Sequence, residues 1–399
     1  MANRRTGGPG AAVLCPESMG KPQLDGHTLS VINSGSSFLR RQVLVWKKQR
    51  IVVIPVCNEE EHIAPCLFAL AAQKHPPDKV VLWINNTTDD THHQAVSLAD
   101  RLPFELETVT VFYDPSVASA GVARRDAIAH AARTASPDAI LLTTDADSKV
   151  ADDWMDSILA AFIRYPVEAV FGHVLLFPEE HRKIPPHLHE DEKSERAYGA
   201  LLEQIGLLLS PEPHDPWPRH LEHSGASIAV THQAWRKAGG IPDVSSGEDR
   251  EFYRALRQKG IPVRHAPEVK VYVSARLQGR ARGGMAETLA RRLIAQDEHI
   301  DDAFEPVSRR LLRLRREHAY WHASQSSCLE IPYPELPAIP IRRSELQRHH
   351  ERALRVLNFL RRKKRLSSEN FRTSTTGLYD IRHPVLTDQD PSIFYGRPG

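Results

Sequence analysis

Four cysteines are all that this 399-residue sequence contains, and none of them forms a CxxC pair. Zinc knuckles and thioredoxin-type redox motifs depend on closely spaced cysteines, so the spacing disfavours both. Cys15, Cys57, Cys66 and Cys328 are therefore interpreted as free thiols in a reducing compartment. The 21 histidines are scattered along the chain and show no metal-ligand spacing.

Long apolar runs and an excess of one charge are also missing. No stretch approaches the roughly 20 apolar residues of a membrane-spanning helix. The N-terminus has early arginines but no apolar core of signal-peptide length. We therefore expect a cytoplasmic protein without a transmembrane segment. The net charge of +2 gives little attraction to nucleic acid, and no nucleic-acid partner is expected.

What the sequence does have is a regular alternation of strands and helices from Arg50 onward. Apolar runs predict strands at 51–56, 80–84, 109–112, 139–144, 169–177 and 269–273, with helical patterns between the first four. This alternation predicts an α/β fold with a mostly parallel central sheet flanked by helices. Residues 1–48 are predicted to be a flexible tail. The chain after about residue 300 is basic and predicted to be helical.

A pair of carboxylates follows the fourth predicted strand, in the run LLTTDADSKVADDW. Asp145 and Asp147 are separated by one residue, so a turn could direct both side chains at one hard cation. Carboxylates together with phosphate oxygens and water are the usual ligands of Mg²⁺ or Mn²⁺. The run therefore indicates a cation that neutralises a diphosphate, and the alternative is a solvated turn.

Polar residues also follow the first two predicted strands. Asn58 and Glu59 end the first strand, and Asn85 and Asn86 end the second. Ligands bind beyond the carboxyl ends of strands in open parallel sheets, which places all four at a candidate site. The same residue types also cap helices and form turns, and the sequence leaves that alternative open.

Two further segments contain candidate catalytic and diphosphate-binding residues. Glu248 and Asp249 lie in the first turn of a predicted helix, as a general base or as partners of the helix dipole. Arg276, Arg280 and Arg282 surround glycines in SARLQGRARGGMA. Arginines on a glycine-rich loop suit contacts to a diphosphate, and an exposed basic loop is the alternative.

The order of these runs resembles the family-2 glycosyltransferases. IVVIPVCNEEEHIAPCL, INNTTDDT, ILLTTDADSKVADDW and GGIPDVSSGEDREFYRAL carry the resemblance, which covers about residues 50–290. It implies the A-type glycosyltransferase fold, with a nucleotide-binding half at 49–150 and an acceptor-binding half at 151–300. It also implies an inverting transfer of a sugar from a nucleotide diphosphate sugar to an acceptor hydroxyl.

The resemblance assigns a role to each matching position. Asp249 becomes the catalytic base with Glu248 beside it, while Asp145 and Asp147 hold Mn²⁺ or Mg²⁺, Asp147 more directly. The residues implied in donor binding are Pro55, Asn58, Glu59, Asn85, Asn86, Arg125 and Asp145, together with Arg280 and Arg282.

Two departures from the family pattern bear on the expected donor base and on the number of sugars transferred. Family members commonly carry an Asp directly after the second strand that helps to read uracil, whereas this chain has INNTT and leaves the base open. It also lacks the QxxRW motif and membrane helices of processive members, which favours transfer of a single sugar.

Three alternatives to inverting transfer remain. One is a retaining transfer to a small phosphorylated acceptor such as a glycerate, in which Asp249 would not act as a base. The second is a sugar nucleotidyltransferase, although PVCNEEE lacks the glycine-rich phosphate loop of that class. The third is a binding protein with a vestigial site.

The segment 301–399 is predicted to be a basic helical extension and tail. Its cluster RRKKR at 361–365 could give peripheral contact with an anionic membrane, and a solvated basic face is the simpler interpretation. The leucines of this helix are predicted to pack on the catalytic domain: Leu346, Leu354, Leu357 and Leu360.

Overall fold

The computed structural model describes residues 45, 47–244, 246–276, 290–293, 298–301, 304–326, 333–334, 336–337 and 339–374. Arg280 and Arg282 lie outside the described residues. The strands are β1 (Arg50–Val56), β2 (Lys79–Asn85), β3 (Glu105–Val111), β4 (Ile140–Thr143), β5 (Lys149–Val150), β6 (Ala169–Leu176), β7 (Ile228–Thr231) and β8 (Val263–Val273).

Helices connect these strands and continue beyond them. They are α1 (Ile63–Ala71), α2 (Thr91–Leu98), α3 (Ala120–Thr134), α4 (Trp154–Arg164), α5 (Pro178–His181), α6 (Pro186–Leu209), α7 (His232–Ala238), α8 (Glu248–Gln258), α9 (Val307–Ser326) and α10 (Leu346–Ser374).

All eight strands form one sheet in the order β3-β2-β1-β4-β7-β6-β8-β5. The pairs β3-β2, β2-β1, β1-β4 and β6-β8 are parallel, whereas β7 is antiparallel to both β4 and β6, and β5 is antiparallel to β8. Six strands therefore share one direction, and only β7 and β5 oppose it. The predicted mostly parallel α/β fold is confirmed.

The sheet separates two apolar cores because successive side chains of a strand point to opposite faces. In β1, Val52, Ile54 and Val56 pack with α1, α2 and α4 on one face. Ile51 and Val53 pack with α3, α7 and α8 on the other. Strands covered on both faces need apolar residues at every position, and this explains the unbroken run IVVIPV.

A third apolar cluster joins α6, α9 and α10. Leu346 and Leu357 are buried in it and Leu360 packs against it, as the sequence analysis predicts. The prediction is wrong for Leu354, which is 40% exposed because it lies on the flank of α10 away from α6. Among the described residues, no helix is both long enough and apolar enough to cross a bilayer.

Buried ion pairs connect this helical layer to the sheet. Arg310 of α9 pairs with Glu203 of α6. Glu203 also pairs with Arg219, which reaches Asp215 at 3.0 Å. Asp215 in turn accepts from Arg264 of β8 at 2.9 Å. The chain of contacts ties the helical layer to the edge of the sheet.

The third cluster yields a test of how far α10 contributes to stability. We expect Leu357→Ala to lower the free energy of unfolding by about 2–5 kcal/mol, because it removes a side chain that is 1% exposed and leaves a cavity. Leu354→Ala is the control on the same helix and should change it by less than about 0.5 kcal/mol. Urea unfolding of both variants measures the difference. If both variants lost the same small amount of unfolding free energy, α10 would not unfold together with the rest of the domain.

Candidate active site

Polar residues collect at one edge of the sheet because of the strand directions. The carboxyl ends of β1, β2, β4 and β8 lie at this edge, and antiparallel β7 begins there, with Thr143 opposite Ile228. The residues that follow these strand ends therefore face one another, although they are far apart in the sequence. This is the edge at which open α/β sheets bind ligands.

Asn58 and Asn86 form the backbone frame of the edge. Both have left-handed backbone conformations, with φ of 52° and 49°, which asparagine tolerates better than most residues. Asn58 Oδ1 accepts from the backbone nitrogens of Thr88 at 2.7 Å and Asp89 at 3.3 Å. Asn86 exchanges two hydrogen bonds with the backbone of Tyr113, at 2.8 and 2.9 Å. Their side chains therefore hold neighbouring loops.

Pro55 and Asn85 occupy the ends of the two strands themselves. Pro55 lies opposite Trp83 in the β1-β2 register, and Asn85 is buried as the last residue of β2. Both are placed at the predicted edge and contribute to its floor.

Three carboxylates meet in front of these strands. Glu59 is 5% exposed, and its oxygens accept from Arg276 at 2.9 and 3.2 Å. The same guanidinium lies 2.9 Å from Asp147 Oδ2. Burial, together with the charges of Asp145 and Glu59, raises the pKa of Asp147 to about 6, and Arg276 opposes that shift. The pocket thus has an excess of negative charge.

Arg124 connects Asp145, in the DAD carboxylate pair Asp145 and Asp147, to Glu248 beside the predicted base Asp249. It is 4% exposed and binds Asp145 through one terminal nitrogen and Glu248 through the other. Burial raises the pKa of Glu248, and Arg124 opposes that shift. Its neighbour Arg125 points away from these carboxylates and pairs with Asp126 and Asp243. Arg124 is therefore the arginine of this helix that enters the site, which the sequence analysis missed.

Two glycines allow this close approach. A Cβ on Gly121 would lie 2.7 Å from Glu248 Oε2, and one on Gly225 would lie 2.2 Å from Arg124 Cζ. Any larger residue at these positions would push the ion pair apart. The glycines therefore fix the separation of α3, α8 and the start of β7.

Asp249 is held on the far side of this ion pair. Its Oδ2 accepts from the backbone nitrogen of Gly225 at 3.0 Å, and its Oδ1 accepts from that of Arg250 at 2.8 Å. The side chain is half-buried at the start of α8, with Glu248 buried beside it. A half-buried carboxylate fixed by backbone donors, yet reachable from solvent, has the placement that a general base requires.

The carboxylate cluster also has the chemistry of a divalent cation site. Glu59 and Asp147 share the guanidinium of Arg276, and Asp145 pairs with Arg124 in the described chain. Hard cations such as Mg²⁺ and Mn²⁺ prefer oxygen ligands of this kind. The donor types at this edge therefore fit the cation that the sequence analysis expects, and Asp147 as its ligand remains a prediction.

A group of histidines lies behind Asp249, and the sequence analysis did not find it. His223 stacks on Tyr253, one helical turn after Asp249, with ring centroids 3.9 Å apart. Its Nε2 is 3.1 Å from that of His265, whose Nδ1 is 2.7 Å from Asp215. Burial lowers the pKa of His223, which keeps the ring neutral. These rings pack behind the first turns of α8.

Comparison with known proteins agrees with this geometry. Residues 51–216 match the sequence model of the family described as Glycosyl transferase family 2. This segment contains the ends of β1, β2 and β4 and the carboxylates after β4, whereas Glu248, Asp249 and Arg276 lie beyond it. This segment therefore carries a family-2 glycosyltransferase domain, as the sequence analysis expects. No curated protein matches the chain.

Several solved structures are similar to this chain at low identity. Staphylococcus aureus TarS 1-349 with UDP-GlcNAc is 15% identical, with a TM-score of 0.43, covering 84% of this chain and 94% of that one. A mannosyltransferase from Pyrobaculum calidifontis with GDP-Man and Mn²⁺ is 18% identical, with a TM-score of 0.41, covering 76% and 87%. In another TarS structure (14% identity, TM-score 0.40), the match covers 57% of this chain and only 36% of the TarS chain.

The two adjacent arginines of α3 give a matched test of the central ion pair. We expect Arg124→Met to lower the free energy of unfolding by about 3–5 kcal/mol, because it leaves buried carboxylates without their counter-ion. Arg125→Met removes a more exposed pair and should cost less than about 1 kcal/mol. Denaturant unfolding at neutral pH compares them. Similar losses for the two variants would show that Arg124 does not hold the two halves together.

Proposed function

We propose that this enzyme moves a single sugar from a nucleotide diphosphate sugar to an acceptor hydroxyl with inversion at the anomeric carbon. The observation that carries the proposal is the arrangement around Arg124. Arg124 pairs with Asp145 and with Glu248, and Asp249 is the next residue after Glu248. This arrangement supports a proposed cation side and a proposed base at the same edge of the sheet.

The donor side of the proposal uses the carboxylate cluster. Asp147, with Asp145 beside it, would hold Mn²⁺ or Mg²⁺, which when bound spreads the negative charge of the departing nucleotide diphosphate. Pro55, Asn58, Glu59, Asn85 and Asn86 would form the walls of the nucleotide pocket.

A second cation is already present on the donor side. Arg276 lies between Glu59 and Asp147 and could turn to the diphosphate oxygens, which guanidiniums bind in a forked geometry. The predicted contribution of Arg280 and Arg282 belongs to the same proposal.

The acceptor side uses Asp249. An alcohol is a poor nucleophile until its proton is taken, so the carboxylate accepts the hydroxyl proton as the oxygen attacks the anomeric carbon. The bond from that carbon to the diphosphate oxygen breaks as the new glycosidic bond forms, and its electron pair leaves with the nucleotide diphosphate. One in-line displacement inverts the anomeric configuration, so the anomer of the product separates this proposal from a retaining transfer.

The predicted cytoplasmic location and the predicted membrane contact of α10 remain predictions. The acceptor is proposed only as a hydroxyl compound, since the described residues around Asp249 do not select one class.

Donor binding can be tested before any acceptor is known. Thermal unfolding with a panel of nucleotide diphosphates and their sugars should show a raised midpoint for one base, because a ligand that binds only the folded state stabilises it. The shift should be larger with Mn²⁺ and should be lost with a chelator. Asp147→Ala should remove the dependence on Mn²⁺. A shift that is identical with and without Mn²⁺ in the wild type would contradict the assignment of Asp147.

The role of Asp249 has its own test. Asp249→Asn should keep donor binding but lower turnover by about 100- to 10,000-fold, because the amide cannot accept the hydroxyl proton. Glu251→Gln is the control, since Glu251 lies in the same first turn of α8 and pairs only with exposed Arg254 in the described chain. Donor hydrolysis or transfer to an identified acceptor gives the rate. Full turnover in Asp249→Asn would remove Asp249 from the mechanism.

A further inference from the structure

A second cluster of metal-ligating side chains lies where α5 meets α6. His181, His189 and Glu192 each bring one ligand atom to within 4.8 Å of the others. We propose that this corner binds a divalent transition-metal ion of the Zn²⁺ class, at a site separate from the cation site at Asp147. Two imidazoles and one carboxylate form a ligand set that zinc takes in proteins, with a further position left for water.

The local structure explains both the convergence and why the sequence does not show it. His189 and Glu192 are three residues apart on α6, so they share one face of the helix. His181 is the last residue of the short helix before it, and its ring lies 4.2 Å from that of His189. The third ligand comes from a separate helix, and spacing along the sequence therefore gives no metal motif.

The ring nitrogens of this corner are free to bind an ion. Neither the imidazole ring of His181 nor that of His189 forms a hydrogen bond to the residues that the structure describes. Glu192 is held by Arg196 at 2.7 Å, and such outer contacts commonly orient a ligating carboxylate. His181 is exposed, so an ion can reach the site from solvent.

A cluster of the same composition inside the protein makes a useful contrast. His173, His220 and Glu222 also converge, but their side-chain polar atoms already have hydrogen-bonding partners. His220 Nε2 lies 3.0 Å from the carbonyl of Phe171, and its Nδ1 accepts from the Glu222 nitrogen at 3.1 Å. His173 Nδ1 lies 2.9 Å from Glu222 Oε2. An ion there would have to break these bonds, and so the corner between α5 and α6 is the better site.

An ion at the corner would affect the donor pocket. Glu180, next to His181, accepts from the hydroxyl of Ser274 at 3.1 Å and from the backbone nitrogen of Ala275. The following residue is Arg276, which bridges Glu59 and Asp147. Joining α5 to α6 through a metal would therefore fix the segment that carries Arg276.

Zinc titration of the full-length, tag-free protein after chelator dialysis tests the site directly. We expect the wild type to bind Zn²⁺ and His189→Ala to lose one equivalent, or to bind it about tenfold more weakly or worse. His187→Ala is the control, because His187 is exposed on the same first turn but lies outside the cluster. Asp147→Ala should leave this equivalent intact. The proposal is overturned if His189→Ala and His187→Ala bind like the wild type, or if Asp147→Ala alone abolishes binding.

Amide hydrogen exchange provides a readout that does not depend on stoichiometry. Zn²⁺ should slow exchange over residues 178–192 in the wild type and in His187→Ala, but not in His189→Ala or Glu192→Gln. Equal protection in all four proteins would place the ion elsewhere and overturn the proposal. Because neither measurement uses a nucleotide sugar, the result is independent of whether the proposed transfer reaction is correct.

Discussion

The geometry of the candidate active site depends on the buried ion pairs of Arg124 with Asp145 and Glu248. Asp145 follows β4 and Glu248 begins α8, so one guanidinium joins the end of the sheet to the helix that carries Asp249. Such pairs contribute little net stability, because desolvation offsets most of the attraction. Here the ion pairs fix the position of α8 relative to the sheet. Any movement of α8 away from the sheet would separate buried charges, which is costly, and Asp249 therefore keeps a fixed distance from the DAD carboxylates.

This constraint explains features that look unrelated along the chain. Gly121 and Gly225 leave room for the ion pair, and the backbone nitrogen of Gly225 also binds Asp249. Thr143, at the end of β4, donates to the carbonyl of Gly225 and fixes the start of β7. The single antiparallel strand at the centre of the sheet thus brings its first residues to the same edge as the parallel strand ends. Asp145, Glu248 and Asp249 are therefore held by one connected set of contacts.

The strands that are covered on both faces could be predicted from the sequence, since β1, β2 and β4 need continuous apolar runs. Edge strand β3 could be predicted only in part. Glu105 and Glu107 are tolerated there because one side faces solvent, and they interrupt the apolar pattern that marks a strand. The first half of β8 escaped prediction because Arg264 and His265 are buried there through Asp215, a partner far away in the chain. Whether Arg124 or Arg125 enters the site depends on how α3 is rotated about its own axis. The exposure of Leu354 depends in the same way on the rotation of α10. Neither rotation is fixed by residue type alone.

The two arginines that contact the carboxylates differ in a way that bears on donor binding. The side chain of Arg124 is 5% exposed and lies between two carboxylates, so its movement would leave both of them without a counter-ion. That of Arg276 is 26% exposed and sits at the mouth of the cluster, between Glu59 and Asp147. In the proposed donor complex, Asp147 would hold the cation, and Arg276 would be available to bind the diphosphate oxygens instead. Arg124 would meanwhile keep its buried carboxylate partners and so hold α8 against the sheet.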